Sequence, residues 1–519
     1  MYRGSVANFM PISKGLFDTL NNIDSDPQFT PDTRNSRFFP NYVRKRNGSS
    51  LIGGLVEAAT RFTGGFQYRN PSNALRDCVT MRSSKFYVNS SGTWTNRTGA
   101  ITLSNAADNR CHFTGFNGSV IGTDNVNTPF SWDGNVANNA AVLGGSPPTR
   151  ALVGGVLGQR LIFANITDSG ATAYPDAIVW SGINVTTGWA TTGAGILRIQ
   201  NAGGNPIYGL GYRDDRLVVL FETMVHEIIQ TGAGSAPFEV LPLVSGTGTR
   251  APYAVVSAYN DVFFLAEYGP ERLSAVLDGR QGELAERIRS FWATVDYTDS
   301  MTFSGAYSHS ERAIKWGVRT STNTENDSTI VYRLDTDSFS IDTGYVADVM
   351  WSYTNSSGVR KSAAGSSAYT IELDAGNTDI SVSDGTTTTG VNWYIWTNWL
   401  DMMNAERPSG PMRRKLWQEL QLQFLQQTGN TMAVGYQLAL FADTRTSSNI
   451  VMLNYNNAGL WDEAVWDASI WGGANEDQAQ ARVPLEGDSS HIRFKFSNSA
   501  SVPVTLEGFS VAFRDTTGL

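Results

Sequence analysis

The stretch of sequence that decides the fold is Gly211-Tyr212-Arg213-Asp214-Asp215-Arg216-Leu217-Val218-Val219. Two acidic residues separate an aromatic residue from a run of β-branched and aliphatic side chains. Aspartate tolerates the left-handed backbone angles of a tight hairpin turn, so this stretch predicts two antiparallel strands. Similar units, each with a polar turn between apolar runs, recur along the first 390 residues, centred near residues 72, 117, 159, 214, 260 and 310.

The spacing of these units indicates the architecture. The intervals are about 42–55 residues, close to the length of a four-stranded propeller blade. The sequence therefore predicts an all-β protein with an irregular β-propeller of about six blades. A weaker unit at residues 351–358 and 368–371 could close the ring or be a seventh blade. The competing fold is a pair of β-sandwiches, which turns every 8–12 residues would favour.

Composition agrees with a turn-rich β protein and excludes two other classes. The chain has 519 residues, 51 of them glycine, which is above the usual fraction of about 7%. Its hydrophobic fraction of 41% excludes a disordered chain. A formal net charge of −9 with only 17% charged residues excludes a basic protein that wraps DNA.

The sequence divides into three regions. Residues 1–60 are expected to be a structural segment that leads into the propeller, and residues 61–390 the propeller itself. Within the latter, Leu284, Ile288, Phe291 and Trp292 form one apolar stripe, which predicts a short helix near 283–292. Residues 321–390 are rich in Ser, Thr, Asn and Gly, which predicts loops and exposed edge strands.

The third region, residues 391–519, shows a different pattern. Leu420, Leu422 and Phe424 alternate with polar residues, and three further segments do the same. Alternation with a period of two is typical of half-buried antiparallel strands. We expect a separate C-terminal β-sandwich, called the platform below.

Motifs for catalysis or metal binding are absent from the sequence. The four histidines, His112, His226, His309 and His491, lie outside any HExxH spacing, and neither GxSxG nor a P-loop occurs. We therefore predict no catalytic residue, no cofactor, no metal site and no enzymatic activity. Asp214 and Asp215 could form a carboxylate pair with Glu222 for glycoside hydrolysis. Their position in a hairpin turn favours a structural role.

The cysteine content and the lengths of the apolar runs indicate whether the protein is exported or spans a membrane. Cys78 and Cys111 are expected to be small buried hydrophobic residues, with one disulfide as the alternative. The sequence begins without the apolar region of a signal peptide, and no apolar run approaches about 18 residues. We expect a protein that is neither exported through a signal peptide nor membrane-spanning.

Three clusters are candidate contact sites. Trp461, Trp466 and Trp471 are five residues apart, so they cannot form one helical or strand face. We interpret them as anchors of an irregular loop, pinned into the platform or pressed on a neighbouring subunit, with sugar stacking as the least favoured role. Two basic clusters could contact phosphate in a DNA channel or form ion pairs at an interface, although a solvated face also fits them; they are Arg44-Lys45-Arg46 and Arg413-Arg414-Lys415.

Several strand-and-turn patterns resemble the tail nozzle proteins of short-tailed bacteriophages, also called tail hub or packaged-DNA stabilisation proteins. The resemblance is carried by segments at both ends and in the middle of the chain. They are residues 35–48, 65–68, 207–221, 225–229, 238–240, 248–256, 261–266, 285–291 and 501–511.

This resemblance implies a structural virion protein located in the tail and assembled in the host cytoplasm. It implies a homohexameric tube below the portal and its adaptor ring. The tube would continue the DNA channel, retain packaged DNA, guide its ejection, and dock tail fibres, spikes or a needle. A weakly charged chain suits a passage through which DNA slides, because a strongly basic lumen would hold it. The alternative hypothesis is a propeller enzyme or lectin acting on polysaccharide, with the three tryptophans and nearby carboxylates as its site.

Overall fold

A computed structural model describes residues 5–8, 12–18, 26–58, 60–106, 108–191, 193–199, 205–232, 237–401, 414–425, 431–440, 443–452 and 478–515. Nearly all regular structure in these ranges is antiparallel β-sheet. Two bodies of sheet are present, a ring of small sheets and a two-sheet platform. The predicted all-β propeller with a β-sandwich is confirmed.

The ring contains seven sheets, which we number as blades 1 to 7 from the first complete one. Each is a meander in which consecutive strands pair, except that blade 5 has three strands and blade 7 takes its fourth strand from the N-terminal region.

The strands of blades 1 to 4 follow in chain order. Blade 1 has Phe62–Arg69, Leu75–Met81, Lys85–Ser90 and Thr93–Asn96. Blade 2 has His112–Phe116, Ser119–Thr123, Phe130–Trp132 and Ala141–Val142. Blade 3 has Arg150–Leu157, Arg160–Thr167, Ala173–Trp180 and Gly195–Arg198. Blade 4 has Ile207–Arg213, Arg216–Phe221, Met224–Gln230 and Phe238–Ser245.

Blades 5 to 7 complete the ring. Blade 5 has Val256–Ala258, Asp261–Ala266 and Gly269–Arg272. Blade 6 has Ser304–Ser308, Ala313–Val318, Ser328–Arg333 and Ser338–Asp342. Blade 7 has Val349–Thr354, Arg360–Ser366, Tyr369–Leu373 and Ser49–Leu51.

The first strand of each blade packs against the first strand of the next, and blade 7 packs against blade 1, so the ring is closed. The weak sequence unit at 351–358 and 368–371 is therefore a seventh blade. Its fourth strand, Ser49–Leu51, pairs antiparallel with Tyr369–Leu373. Large apolar side chains fill the spaces between adjacent blades, as in the cluster that joins blades 5 and 6.

The turns between first and second strands have the predicted chemistry. Asn117, Gln159, Asp214 and Asn260 all have positive φ values, between 46° and 62°. Gly118, with φ of 76°, follows Asn117 in the turn of blade 2. Asparagine, aspartate and glycine tolerate this region of backbone space best, which explains why the hairpins occur at these positions.

Helices follow the three strands of blade 5. They are Leu273–Leu277, Glu283–Arg287 and Arg289–Trp292, and two 3-10 turns lie at Pro252–Ala254 and Tyr297–Thr302. The single helix predicted near 283–292 is thus two short helices. They meet at Ile288, whose φ of −124° and ψ of 28° interrupt the helical backbone. Ile288 is fully buried, so the predicted apolar stripe does face the core.

The platform consists of two sheets with a shared core. The first contains Gln478–Pro484, Lys415–Leu425, Thr505–Asp515, Tyr42–Lys45 and Ser36–Phe39, with Ser5–Asn8 and Asp488–Ser489 at its sides. The second contains Asp443–Met452, Thr431–Leu440, His491–Asn498, Trp393–Trp396 and Thr33–Arg34. Two small sheets complete the structure: Gly15–Leu16 with Phe29–Thr30, and Thr378–Ile380 with Thr388–Gly390.

The N-terminal 60 residues are divided between both bodies. Ser5–Asn8, Thr33–Arg34, Ser36–Phe39 and Tyr42–Lys45 belong to the platform, whereas Ser49–Leu51 belongs to blade 7. A division at residues 60 and 390 therefore does not describe the domains. The platform combines residues from both ends of the sequence, and the propeller lies between them in sequence.

Candidate functional site

A channel or a ligand site formed by the propeller alone would lie on the axis of the ring. The innermost strands leave a cavity of about 170 Å³ at the end of the ring where these strands begin. Water occupies about 30 Å³ per molecule in the liquid, so the cavity has room for only a few waters. Its lining includes Thr63, Arg110, His112, Tyr253, Ser304 and Trp351.

Tyr253 spans the ring at this end. It lies in the 3-10 turn that precedes blade 5, and its hydroxyl donates a hydrogen bond of 2.7 Å to the carbonyl oxygen of Arg110, just before blade 2. Its side chain is half-buried, and this burial raises the pKa of its phenol. A ring whose opposite sides touch across the axis cannot pass a DNA duplex.

The histidines are placed by their surroundings. His112 Nδ1 accepts a hydrogen bond of 3.3 Å from the Gly154 amide, which assigns the ring proton to Nε2 in the neutral form. Burial lowers the pKa of His112 to about 4, so it is neutral at pH 7. His309 packs on the ring of Tyr307, with centroids 4.4 Å apart. Burial also lowers the pKa of His226 and of His491.

A buried network of charges joins the platform to the propeller. Arg37, from the platform strand Ser36–Phe39, donates two hydrogen bonds of 2.7 Å to Asp342 of blade 6. It also donates to Glu311 at 2.8 Å and to Asp374, which follows blade 7, at 3.1 Å. Lys315 of blade 6 bonds Asp374 as well. All five side chains are at most 11% exposed.

Charges in this network alter one another's protonation. Burial favours the neutral form of Asp342, but attraction by Arg37 outweighs it and lowers the pKa of that carboxyl. The pKa of Glu311 is also lowered, by Arg37 and Lys315 against the effect of burial. Burial, together with repulsion by Glu311, raises the pKa of Asp374. No sequence pattern indicated this cluster, because its members lie between residues 37 and 374.

The basic cluster Arg44-Lys45-Arg46 lies next to this network and is mostly internal. Arg46 makes two hydrogen bonds to Asp379, of 2.8 and 2.6 Å, and is 3% exposed. Lys45 is 1% exposed, and its ammonium donates to Asn498 at 3.0 Å. Burial lowers the pKa of Lys45 to about 8. Arg44 lies over the ring of Phe39 at 5.5 Å. Lys45 and Arg46 therefore bind partners within the chain and do not present their charges to DNA.

The second basic cluster is divided. Arg414 forms an ion pair of 2.7 Å with Asp488, and both side chains are about half exposed. Lys415 is buried and donates to the carbonyl oxygen of Ser490 at 3.2 Å. Arg413 and the tryptophans Trp461, Trp466 and Trp471 lie outside the described residues.

Asp214 and Asp215, the carboxylates considered for hydrolysis, occupy the hairpin turn of blade 4. Asp214 exchanges two hydrogen bonds with Asn260 in the corresponding turn of blade 5: its carboxylate accepts from the Asn260 amide, and its backbone amide donates to Asn260 Oδ1 at 2.5 Å. Glu222 lies 3.9 Å from Arg250. The turn aspartate thus joins two neighbouring blades.

Cys78 and Cys111 are both buried free thiols, and burial raises the pKa of each. In the described ranges, no group of three or more His, Cys, Asp or Glu side chains is arranged to hold a metal ion. None of the helices in those ranges has the length and hydrophobicity needed to cross a bilayer.

No family model and no curated protein matches the sequence. The solved structures that this chain matches include the extracellular domain of a putative hybrid two-component system from B. thetaiotaomicron, at 9% identity and a TM-score of 0.39, covering 74% of this chain and 44% of that one. PorZ, a surface component of the type-IX secretion system of Porphyromonas gingivalis, gives 9% identity and a TM-score of 0.35, with coverage of 70% and 44%. An exo-β-1,3-galactanase from Phanerochaete chrysosporium gives 9% identity and a TM-score of 0.25, covering 89% of this chain and 100% of that one. The chain spans less than half the length of the first two proteins. These values carry no statement about function.

Proposed function

We propose that the chain is a structural subunit of a bacteriophage tail, a nozzle protein that assembles as a homohexameric tube below the portal adaptor. The tube continues the DNA channel, helps to retain packaged DNA, guides its ejection and docks tail fibres or a tip. The proposal begins from the sequence resemblance at residues 207–291 and at the two ends of the chain.

The main observation behind the proposed assembly is that the propeller axis is closed, because this decides where DNA could pass. Tyr253 and Arg110 meet across the ring, and the remaining cavity holds only a few waters. DNA therefore passes between subunits, along a lumen that exists only in the assembled ring. A cyclic ring of six subunits needs head-to-tail contacts between two different surfaces of each copy.

The junction between platform and propeller supports a mechanical role. Arg37 bonds carboxylates from two blades, and Arg46 bonds Asp379 through two hydrogen bonds. Bidentate contacts between arginine and carboxylate are directional as well as strong. Two domains held in this way resist hinge motion, as a subunit around pressurised DNA requires.

Charge supports a passage rather than a DNA-binding surface. The chain carries a net charge of −9, and Lys45 and Arg46 are engaged internally. Each phosphate contact in a basic lumen would add to a salt-dependent affinity for duplex DNA and would impede sliding. Arg414, half exposed with Asp488, remains on the platform surface as a candidate contact with a neighbouring subunit or tail partner.

The experiment is negative-stain electron microscopy and sedimentation of the full-length protein, alone and mixed with the adaptor of the same phage. The expected result is a six-fold ring that binds the adaptor, with a central lumen wide enough for a duplex. A protein that stays monomeric in the presence of the adaptor would contradict the proposal. Depolymerisation of a host polysaccharide that is lost in Asp214→Asn or Asp215→Asn would favour the enzymatic alternative.

A further inference from the structure

Arginines converge on the end of the propeller axis where the cavity lies. Arg61 precedes blade 1, Arg82 follows its second strand, and Arg110 precedes blade 2. Arg61 is paired with Asp348, at 3.1 Å, and with Glu325. Arg110 interacts electrostatically with both Asp348 and Arg82. Asp108 is a further carboxylate that acts on Arg110, and of the three arginines Arg110 is the one that lines the cavity.

Within the described ranges, Arg110 has two unpartnered nitrogens, whereas Arg82, which does not line the cavity, has one, its buried Nε. Arg110 is 3% exposed and lines the cavity, yet its Nε and Nη1 atoms have no hydrogen-bond partner among the described residues. A buried guanidinium that lacks partners is costly, because it has lost its water without gaining other acceptors. Burial accordingly lowers the pKa of Arg110 to about 10, which still leaves it charged at neutral pH.

Other unpartnered groups line the same cavity. Ser304 Oγ and Trp351 Nε1 are buried and also have no partner in the described part of the chain. The indole can only donate, and the hydroxyl can donate. His112 accepts at Nδ1, which leaves the Nε2 proton as a donor. The lining is therefore rich in hydrogen-bond donors.

None of the nearby carboxylates Asp108, Asp124 and Asp348 is hydrogen-bonded to Arg110 Nε or Nη1. Asp124, which acts on neighbouring Tyr253, already accepts four hydrogen bonds, from Ser104, Val126 and Asn127. Asp348 uses one oxygen for Arg61, and its other oxygen has no hydrogen-bond partner among the described residues. A group of hydrogen-bond donors that includes a charged guanidinium would be satisfied best by an anion with several acceptor atoms.

We propose that the axial cavity of the propeller binds a compact oxyanion, which accepts hydrogen bonds from Arg110 and from the donors of Ser304 and Trp351. A volume of about 170 Å³ admits a single small anion with a few waters and excludes a nucleotide chain. The cavity is not sealed from solvent, so such an anion can enter. This site is independent of the proposed tail function.

Inorganic phosphate, with acetate as the carboxylate probe, tests the site. The full-length protein is dialysed into chloride buffer, and thermal unfolding is followed as phosphate or acetate replaces chloride at constant ionic strength. Binding to the folded state raises the unfolding midpoint with anion concentration. The midpoint is expected to rise with phosphate. A rise with acetate instead would identify a carboxylate as the ligand, and no rise with either anion would overturn the proposal and leave ordered water as the occupant.

Variants assign the effect to Arg110. Arg110→Gln is expected to weaken binding by about tenfold or more, because charge-assisted hydrogen bonds are lost. Arg97→Gln is the matched control, because Arg97 also has a buried Nε without a partner but does not line the cavity. A phosphate response that persists in Arg110→Gln would contradict the proposal. If that variant does not fold, Ser304→Ala with ³¹P line broadening on the wild type replaces it, and unbroadened phosphate in the wild type would be equally contradictory.

Discussion

The Tyr253 hydroxyl donates a hydrogen bond of 2.7 Å to the carbonyl oxygen of Arg110, and this bond links the turn before blade 5 with the residue before blade 2 across the propeller axis. Arg110 is buried and Tyr253 is half-buried. The bond lies at the end of the ring where the innermost strands begin. It also separates two possible uses of the propeller: a ring closed at its axis can hold a small ligand there, but it cannot serve as a conduit.

Replacing Tyr253 by Phe tests this contact. The variant keeps the ring of the side chain but leaves the Arg110 carbonyl without its donor, so we expect the free energy of unfolding to fall by about 1–2 kcal/mol. Urea denaturation measures the change. Tyr268→Phe, at a tyrosine that is 76% exposed, is the control and should have little effect. Equal stability of both variants would show that the bond across the axis does not stabilise the ring.

Substitution of Ile52 tests whether packing of the N-terminal strand Ser49–Leu51 contributes to the stability of the propeller. Ile52 directly follows Ser49–Leu51, is 6% exposed, and packs in the core between blades 7 and 1. Ile52→Ala should lower the free energy of unfolding by about 2–5 kcal/mol, the usual cost of a large-to-small change in a core. Leu55→Ala, at a residue 48% exposed, should cost far less. Thermal unfolding of the two variants distinguishes a closed ring from a strand that is only loosely attached.

Arg37→Met tests the junction of platform and propeller. The change removes the guanidinium that is bonded to Asp342, Asp374 and Glu311, whereas Lys315 still pairs with Asp374 and Glu311. Breaking a buried ion pair by removing one partner costs about 3–5 kcal/mol, so the variant should unfold at a much lower denaturant concentration. The control is Arg280→Met, at an arginine whose pair with Asp278 is exposed, where about 0–1 kcal/mol is expected. A similar small loss for Arg37→Met would mean that the network does not hold the domains together.

Asp77 predicts a pH dependence of stability. It is 8% exposed, it accepts a hydrogen bond of 3.0 Å from Gln67, and burial raises its pKa to about 7. The ordinary value is near 3.9, so between about pH 4 and 7 the folded state binds more protons at this group than the unfolded state. Stability contributed by this group is therefore present below about pH 4 and is lost as the pH rises to 7.

Asp77→Asn should remove this slope while keeping an acceptor for Gln67. Above pH 7 the variant should be more stable than the wild type by about 1–4 kcal/mol, because one pKa unit corresponds to about 1.4 kcal/mol. Near pH 3 the difference should disappear. Denaturant midpoints measured from pH 3 to 8 provide the comparison, and Asp278→Asn, on an exposed carboxylate, serves as the control. A constant difference across the whole range would rule out titration of Asp77 as its cause.

Local sequence features predicted the parts of the fold that depend on local chemistry. The turns at Asn117, Asp214 and Asn260 have the left-handed backbone that these residue types favour. Alternation at Leu420, Leu422 and Phe424 marks a strand whose apolar side is buried in the platform. Each of these two signals lies within fewer than ten consecutive residues. It can therefore be recognised without knowing which distant segments are in contact.

Features that depend on distant partners were not predictable in the same way. Ser49–Leu51 pairs with residues more than 300 positions away, and its own sequence does not specify blade 7 as its partner. The polar composition of residues 321–390 predicted loops and exposed edge strands, yet every residue of Ser328–Arg333 and Ser338–Asp342 is buried. The serines and Thr329 of these two strands lie beside buried apolar residues such as Ile330 and Phe339. Lys45 and Arg46 looked like surface charges for the same reason: their partners, Asn498 and Asp379, are remote in sequence.

The assembly of the platform from both ends of the chain sets an order for folding during synthesis. Tyr42–Lys45 leaves the ribosome early, but its neighbour in the sheet, Thr505–Asp515, is made roughly 460 residues later. At about 5–20 residues per second, the first strands of the platform wait roughly half a minute or longer for their partner. All seven blades are complete in sequence by Leu373, so the propeller can close while the platform is still unfinished. The nascent chain therefore carries unpaired strand edges beside an already folded ring, and this interval is when it most needs protection from aggregation.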